Sequence, residues 1–189
     1  DFYSDGWGGC VRLDAETLSN KAVREFSNEN FISIKLKPWD KKNDSNLFDS
    51  FNGQAIPLLI FINNRNEEID RILGFHPPDQ YLEMINNIYD GNDTYLSLKN
   101  QYQDKEINAS LLSKLAVKCS DNRDPIFCED VYSTIINSSE ITDKDILFKA
   151  KLFFASQKLS LGEIESSINL LNEYKNNYNT LDLYRVIIR

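Results

Sequence analysis

Apolar and polar residues change rhythm near the middle of this 189-residue chain. Up to about residue 90, short apolar runs of strand type alternate with stretches whose apolar positions recur every three or four residues. Beyond it only the helical rhythm remains. Phe2 and Tyr3 begin a short strand that enters a Gly-rich turn, and residues 10–18 and 20–28 read as helices with Leu13, Leu18, Val23 and Phe26 on their apolar faces. Ser19 lies between them as a candidate N-cap. Residues 30–36 are rich in β-branched and aromatic types and alternate from Ile32, which predicts a strand. A polar loop over 38–46 leads to a short helix carrying Leu47, Phe48 and Phe51 and closed by Gly53. The continuous apolar run from Pro57 to Ile62 suits a central strand buried on both faces. Asn63 to Asn66 turn the chain, Glu67 to Leu73 return as a strand ending at Gly74, and Pro78 opens a helix to about Tyr89 with Tyr81, Leu82, Ile85 and Ile88 inward. A proline at the start of a buried strand is awkward, and a cis Ile56–Pro57 bond accounts for it.

Helical stretches follow at 93–103, 107–119, 125–137, 143–157, 162–176 and from 181 onward. A shift of about 36 residues places Leu112 on Phe148 and Tyr184, Ala116 on Leu152 and Ile188, Cys119 on Ala155, Cys128 on Ile164, Tyr132 on Ile168, and Ile135 on Leu171. This period is close to that of tetratricopeptide-type helix pairs. Two regions are therefore expected: an α/β domain over 1–90 and a helical-hairpin repeat region over 91–189.

Charge narrows the partners. The net charge is −8, with 9 basic and 15 acidic residues in 1–90 and 12 basic and 14 acidic in 91–189. Neither half has a basic stripe, so nucleic acid is not an expected partner. The longest apolar run is far too short to span a bilayer, so no transmembrane segment is expected. The chain opens at Asp1 inside what the pattern makes a central strand, so the expectation is that an upstream segment carries any targeting signal. Three cysteines do not make a disulfide framework. Asn-x-Ser/Thr triplets occur at Asn43, Asn92, Asn108 and Asn137. In a chain this rich in Asn, Ser and Thr, chance accounts for two or three of them.

Several separate motifs in the first half fall in one family's order. The string IPLLIFINNRNEEIDRILGF over 56–75 resembles the cis-Pro strand, turn, last strand and closing Gly of thioredoxin-like domains. RLDAETLSNKAVREFSNENFISIKL over 12–36 is similar to the exported or lipoprotein-type subgroup. The resemblance covers residues 1–89 and implies a central four-stranded mixed sheet flanked by helices. It also implies a Cys-x-x-Cys motif where this chain has Trp7-Gly8-Gly9-Cys10. In the ungapped register Trp7 takes the place of the attacking Cys, Gly6 that of the usual Trp, and Gly9 that of the usual Pro. A one-residue shift puts Gly8 at the attacking position instead. Either register leaves one sulfur, and a disulfide oxidoreductase cycles two electrons through a thiol pair.

Each candidate site then has two readings. Cys10 is a reactive monothiol or an inert thiol packed beneath the loop. Asp1 matches the carboxylate that in thioredoxins assists the resolving thiol, and here it is expected to serve structure. Trp7 either stands exposed as a binding anchor, with Gly8, Gly9, Ile56 and Pro57 forming the rest of a peptide groove, or folds over as a lid on Cys10. Cys119 and Cys128 are two buried thiols or a disulfide across a helix hairpin, and a bridge implies an oxidising, extracytoplasmic compartment. His76, the single histidine, lacks neighbours for a metal or a nucleophile and reads as a surface loop residue. No cofactor or metal is expected. The leading expectation is a redox-inactive, non-enzymatic module that binds a protein or extended peptide. The alternatives are a thiol–disulfide oxidoreductase or monothiol enzyme working through Cys10, and a structural subunit of a larger complex.

Overall fold

The computed structural model describes residues 1–38, 45–121 and 124–172. The predicted helix from 181 onward and the repeat positions Tyr184 and Ile188 lie outside the described residues. The chain divides into two compact units, the first comprising Asp1–Glu106 with Asp121–Arg123 and the second Ile107–Ser120 with Asp124–Arg189.

The first unit is organised around an antiparallel pair, β1 (Leu58–Ile62) and β2 (Glu68–Leu73), in register from Leu58 opposite Leu73 to Ile62 opposite Glu68. Asn63 shapes their turn, its side-chain oxygen accepting from the N–H groups of Arg65 and Glu67 at 2.9 and 3.0 Å. Two further segments join through single bridges, Phe2 antiparallel to Leu58 and parallel to Leu36. Among the described residues the sheet thus has two strands and two one-residue extensions, where four strands were expected. Residues 30–36 correct the sequence reading most clearly: Leu36 bonds Asp1 O and Tyr3 N (2.8 and 3.0 Å) and Ile34 O accepts from the Asp1 amino group at 2.9 Å, but no ladder forms along the segment. The parallel bridge sets Phe2 opposite Leu36, so residues 30–33 lie level with positions before Asp1 and face no backbone of this chain.

Helices α1 (Gly8–Arg12), α2 (Lys21–Asn30), α3 (Ser45–Ser50), α4 (Pro78–Tyr89) and α5 (Tyr95–Gln103) complete the unit. Because α5 belongs to it, this unit extends past residue 90. Between α1 and α2 the chain widens into a π-helical turn, Leu13–Leu18, which buries Leu13 and Thr17. The cap of α2 is Asn20, not Ser19. Asn20 Oδ1 accepts from the N–H groups of Ala22 and Val23 (3.0 and 3.4 Å), while Ser19 Oγ donates back to Ala15 O at 2.6 Å.

Alternation along β1 explains its unbroken apolar run. Leu59 faces a core of Leu13, Val23, Ile72, Tyr81, Ile85 and Ile88, while Leu58 faces a second of Phe2, Cys10, Phe48 and Ile56. Both faces are covered, so no polar residue is tolerated.

The second unit consists, among its described residues, of α6 (Ala109–Cys119), α7 (Pro125–Asn137), α8 (Lys144–Ser160) and α9 (Ile164–Leu171). Asn108, Asp124 and Asp143 cap the first three through their side chains. Tyr132 packs on Phe153, with ring centroids 5.0 Å apart, and its hydroxyl donates to Ala116 O at 3.2 Å. Ser167 Oγ donates to Ala155 O at 2.8 Å, so a small residue on α8 lets α9 approach closely.

Candidate functional site

The segment before α1 folds tightly because Gly6 adopts a φ of +76°, which lets Trp7 N–H reach Ser4 O at 3.3 Å. Trp7 then caps α1 in extended conformation, and its carbonyl accepts from Val11 N at 3.0 Å. Gly8 and Gly9 form the first turn. Trp7 is 57% exposed, and Val11 on the next turn is 53% exposed.

Gly9 brings the groups together. A Cβ on it would sit 3.1 Å from Pro57 Cδ and 3.6 Å from Trp7 Nε1. A side chain here would press the two apart, so the absence of one lets indole and pyrrolidine flank the same spot. The Ile56–Pro57 bond is cis. Of the predicted groove, Trp7 and Gly8 are exposed, Gly9 is half-buried and Pro57 is buried at its floor. Ile56 departs from expectation: its side chain turns inward to the second core instead of forming a lip.

Cys10 lies in that same core, 3% exposed, packed with Phe2, Phe48, Ile56 and Leu58. Phe48 meets Phe2 edge-on at 5.2 Å, and a Cβ on Gly53 would overlap the Phe48 ring, so the end of α3 fixes this cover. Asp1 Oδ1 is buried without a hydrogen-bond partner, and Oδ2 lies 3.7 Å from Lys35 Nζ, which bonds Asp14 Oδ1 at 2.5 Å and stands over the Tyr3 ring.

Residues 1–89 match a family model described as a thioredoxin-like domain. This segment is a thioredoxin-like domain, and a helix-rich region follows it. No curated protein and no solved structure matches the chain.

In the thioredoxin-like domain three positioning contacts escaped sequence reasoning. Thr17, fully buried in the π-helical turn, donates through Oγ1 to His76 O at 2.5 Å. Arg12 stacks its guanidinium 3.9 Å from the centre of the Phe75 ring. Together they tie the segment after Cys10 to the loop after β2. His76 lies in this loop, half-buried, its Nε2 3.1 Å from Leu73 O. Arg71 is the third: 4% exposed, it grips the Glu68 carboxylate through Nε and Nη2 (2.6 and 2.5 Å) and Phe51 O through Nη2 (2.9 Å). Three charges, Glu68, Asp70 and Arg71, within a six-residue strand were its signal. In the second unit Cys119 and Cys128 form a disulfide with Cα atoms 5.5 Å apart. Among the described residues no group of three or more His, Cys, Asp or Glu could hold a metal, and no helix is long and apolar enough to cross a membrane.

Proposed function

We propose that the thioredoxin-like domain is a binding module that has given up disulfide chemistry, with Trp7 as its anchor for a protein or extended peptide. In this reading Trp7-Gly8-Gly9-Cys10 is a degenerate Cys-x-x-Cys motif, and α6–α9 are tetratricopeptide-like hairpins that add a second protein-binding surface. The observation that carries the proposal is the division of labour within four residues: Trp7, flanking Gly9 together with Pro57, is 57% exposed, and Cys10 is 3% exposed. Exposed aromatic side chains on rigid backbone are what interfaces use as anchors. Chemistry through Cys10 alone has against it both the burial of the thiol and the lack of a second sulfur within the motif.

The test is an insulin-reduction assay with dithiothreitol. The chain is expected to add nothing to the reagent blank, because one thiol cannot both attack and resolve a mixed disulfide. The substitution Trp7→Cys restores two thiols at the family spacing and is expected to produce measurable turnover. Turnover by the unmodified chain at the rate of an ordinary thioredoxin overturns the proposal.

A further inference from the structure

The helical unit carries a disulfide, and one further cysteine stands among the 189 residues. Cys119 ends α6 and Cys128 lies in the first turn of α7, with nine residues of separation and side chains 4% and 2% exposed. Asp124 and Pro125 start α7 so that Cys128 falls on its inner face, beside Val131 and Tyr132, both buried. The third cysteine of the chain, Cys10, is a buried free thiol. A lone thiol holds no disulfide to pass on, so it cannot oxidise another pair. The two electrons removed from Cys119 and Cys128 must go to a second molecule.

We infer that this chain is a substrate of thiol–disulfide exchange: an external disulfide oxidant installs the Cys119–Cys128 bond, and the bond staples the α6–α7 hairpin. The balance is simple. The thiolate of one cysteine attacks the oxidant's disulfide and expels one reduced thiol. The second cysteine then attacks the mixed disulfide and expels the other. One S–S bond forms in the chain, one breaks in the oxidant, and both protons leave with the reduced oxidant or to solvent. With both sulfurs shielded in the packed hairpin, the exchange is completed before α7 settles on α6. Closing a loop of this length removes entropy from the unfolded chain, so the reduced helical unit is the less stable form. The chain then matures where thiols are oxidised.

The experiment uses the full chain, reduced and unfolded in denaturant, then refolded either in a mixture of oxidised and reduced glutathione or in reductant alone. In the glutathione arm the product is expected to be two hydrogens lighter than the reduced chain, with peptide mapping placing the bond at Cys119–Cys128 and Cys10 still a thiol. Its helical signal should melt about 10 °C or more above that of the reduced arm. The variant with both Cys119→Ala and Cys128→Ala should melt with the reduced arm and ignore glutathione. Three outcomes overturn the inference: a bond that includes Cys10, glutathione adducts that never resolve, or a double variant that melts with the oxidised chain.

Discussion

All three cysteine sulfurs in this chain are buried, yet they sit in opposite situations. Cys10 lies in the thioredoxin-like domain, at the start of a helix, and its neighbours are Phe2, Phe48, Ile56 and Leu58. Cys119 and Cys128 lie in a plain helical hairpin and are bonded to each other. The oxidised sulfur is therefore found in the region with no redox ancestry in its pattern, and the reduced one in the region that resembles a redox fold. Burial alone does not decide what a sulfur does; a second sulfur within about 7 Å of backbone does.

The hardest test of that contrast removes the cover of Cys10. Phe48→Ala is expected to cost about 3–5 kcal/mol of stability, as for other buried aromatics. It should also make Cys10 react with thiol reagents under native conditions, while the Cys119–Cys128 bond stays unreactive. Denaturant titration gives the first quantity and timed labelling with mass spectrometry the second. If Cys10 stays unreactive in a folded Phe48→Ala chain, something other than the α3 ring shields it.

Much of this was legible in the sequence. The Leu58–Ile62 run, the return strand to Leu73 and the helix from Pro78 follow from periodicity, because strands covered on both faces and amphipathic helices write themselves in apolar spacing. The Gly-rich turn into a helix near Cys10 was legible as well. What escaped depended on contacts between residues far apart in sequence. Residues 32–36 have strand chemistry, but pairing needs a partner backbone, and Asp1 to Tyr3 reach only Ile34 and Leu36. Ile56 and Pro57 are adjacent, yet one side chain turns into the core and the other lies beneath the Trp7 loop, which no local pattern encodes. Ser19 and Asn20 are both good caps, and the choice rests on which oxygen reaches the first free N–H groups of α2. Thr17 bonds a carbonyl group, which is the same for every residue type and leaves no trace in composition.

A middle-sized effect separates anchor from lid at Trp7. Trp7→Ala is expected to weaken binding of an extended peptide, selected by display against the unmodified chain, by about 2 kcal/mol or more, roughly thirtyfold. Stability should change by less than about 0.5 kcal/mol, since the indole is mostly in water, and Cys10 should label no faster than before. Loss of stability near that of Phe48→Ala, together with a newly reactive Cys10, would make Trp7 the cover of the thiol and remove its role as anchor. Titration calorimetry and the same labelling assay give both answers on one variant.

The smallest expected effect bears directly on the two kinds of sulfur. Cys10 is 3% exposed and makes no disulfide, so its side chain acts as a small apolar filler. Cys10→Ala removes one buried atom and leaves a cavity too small for water, at a cost of about 1 kcal/mol. Peptide affinity and the melting of the helical unit should be unchanged. Changing either Cys119 or Cys128 instead deletes a cross-link of the unfolded chain, for which loop-closure entropy predicts about 3 kcal/mol, and leaves a free thiol behind. The ratio between these losses, measured by denaturant unfolding of the three single variants, is the quantitative form of the contrast. Equal losses would mean that the Cys119–Cys128 bond contributes only packing. A Cys10→Ala chain that keeps its fold but loses peptide binding would mean that the thiol takes part in recognition, and that the division of labour between Trp7 and Cys10 is wrong.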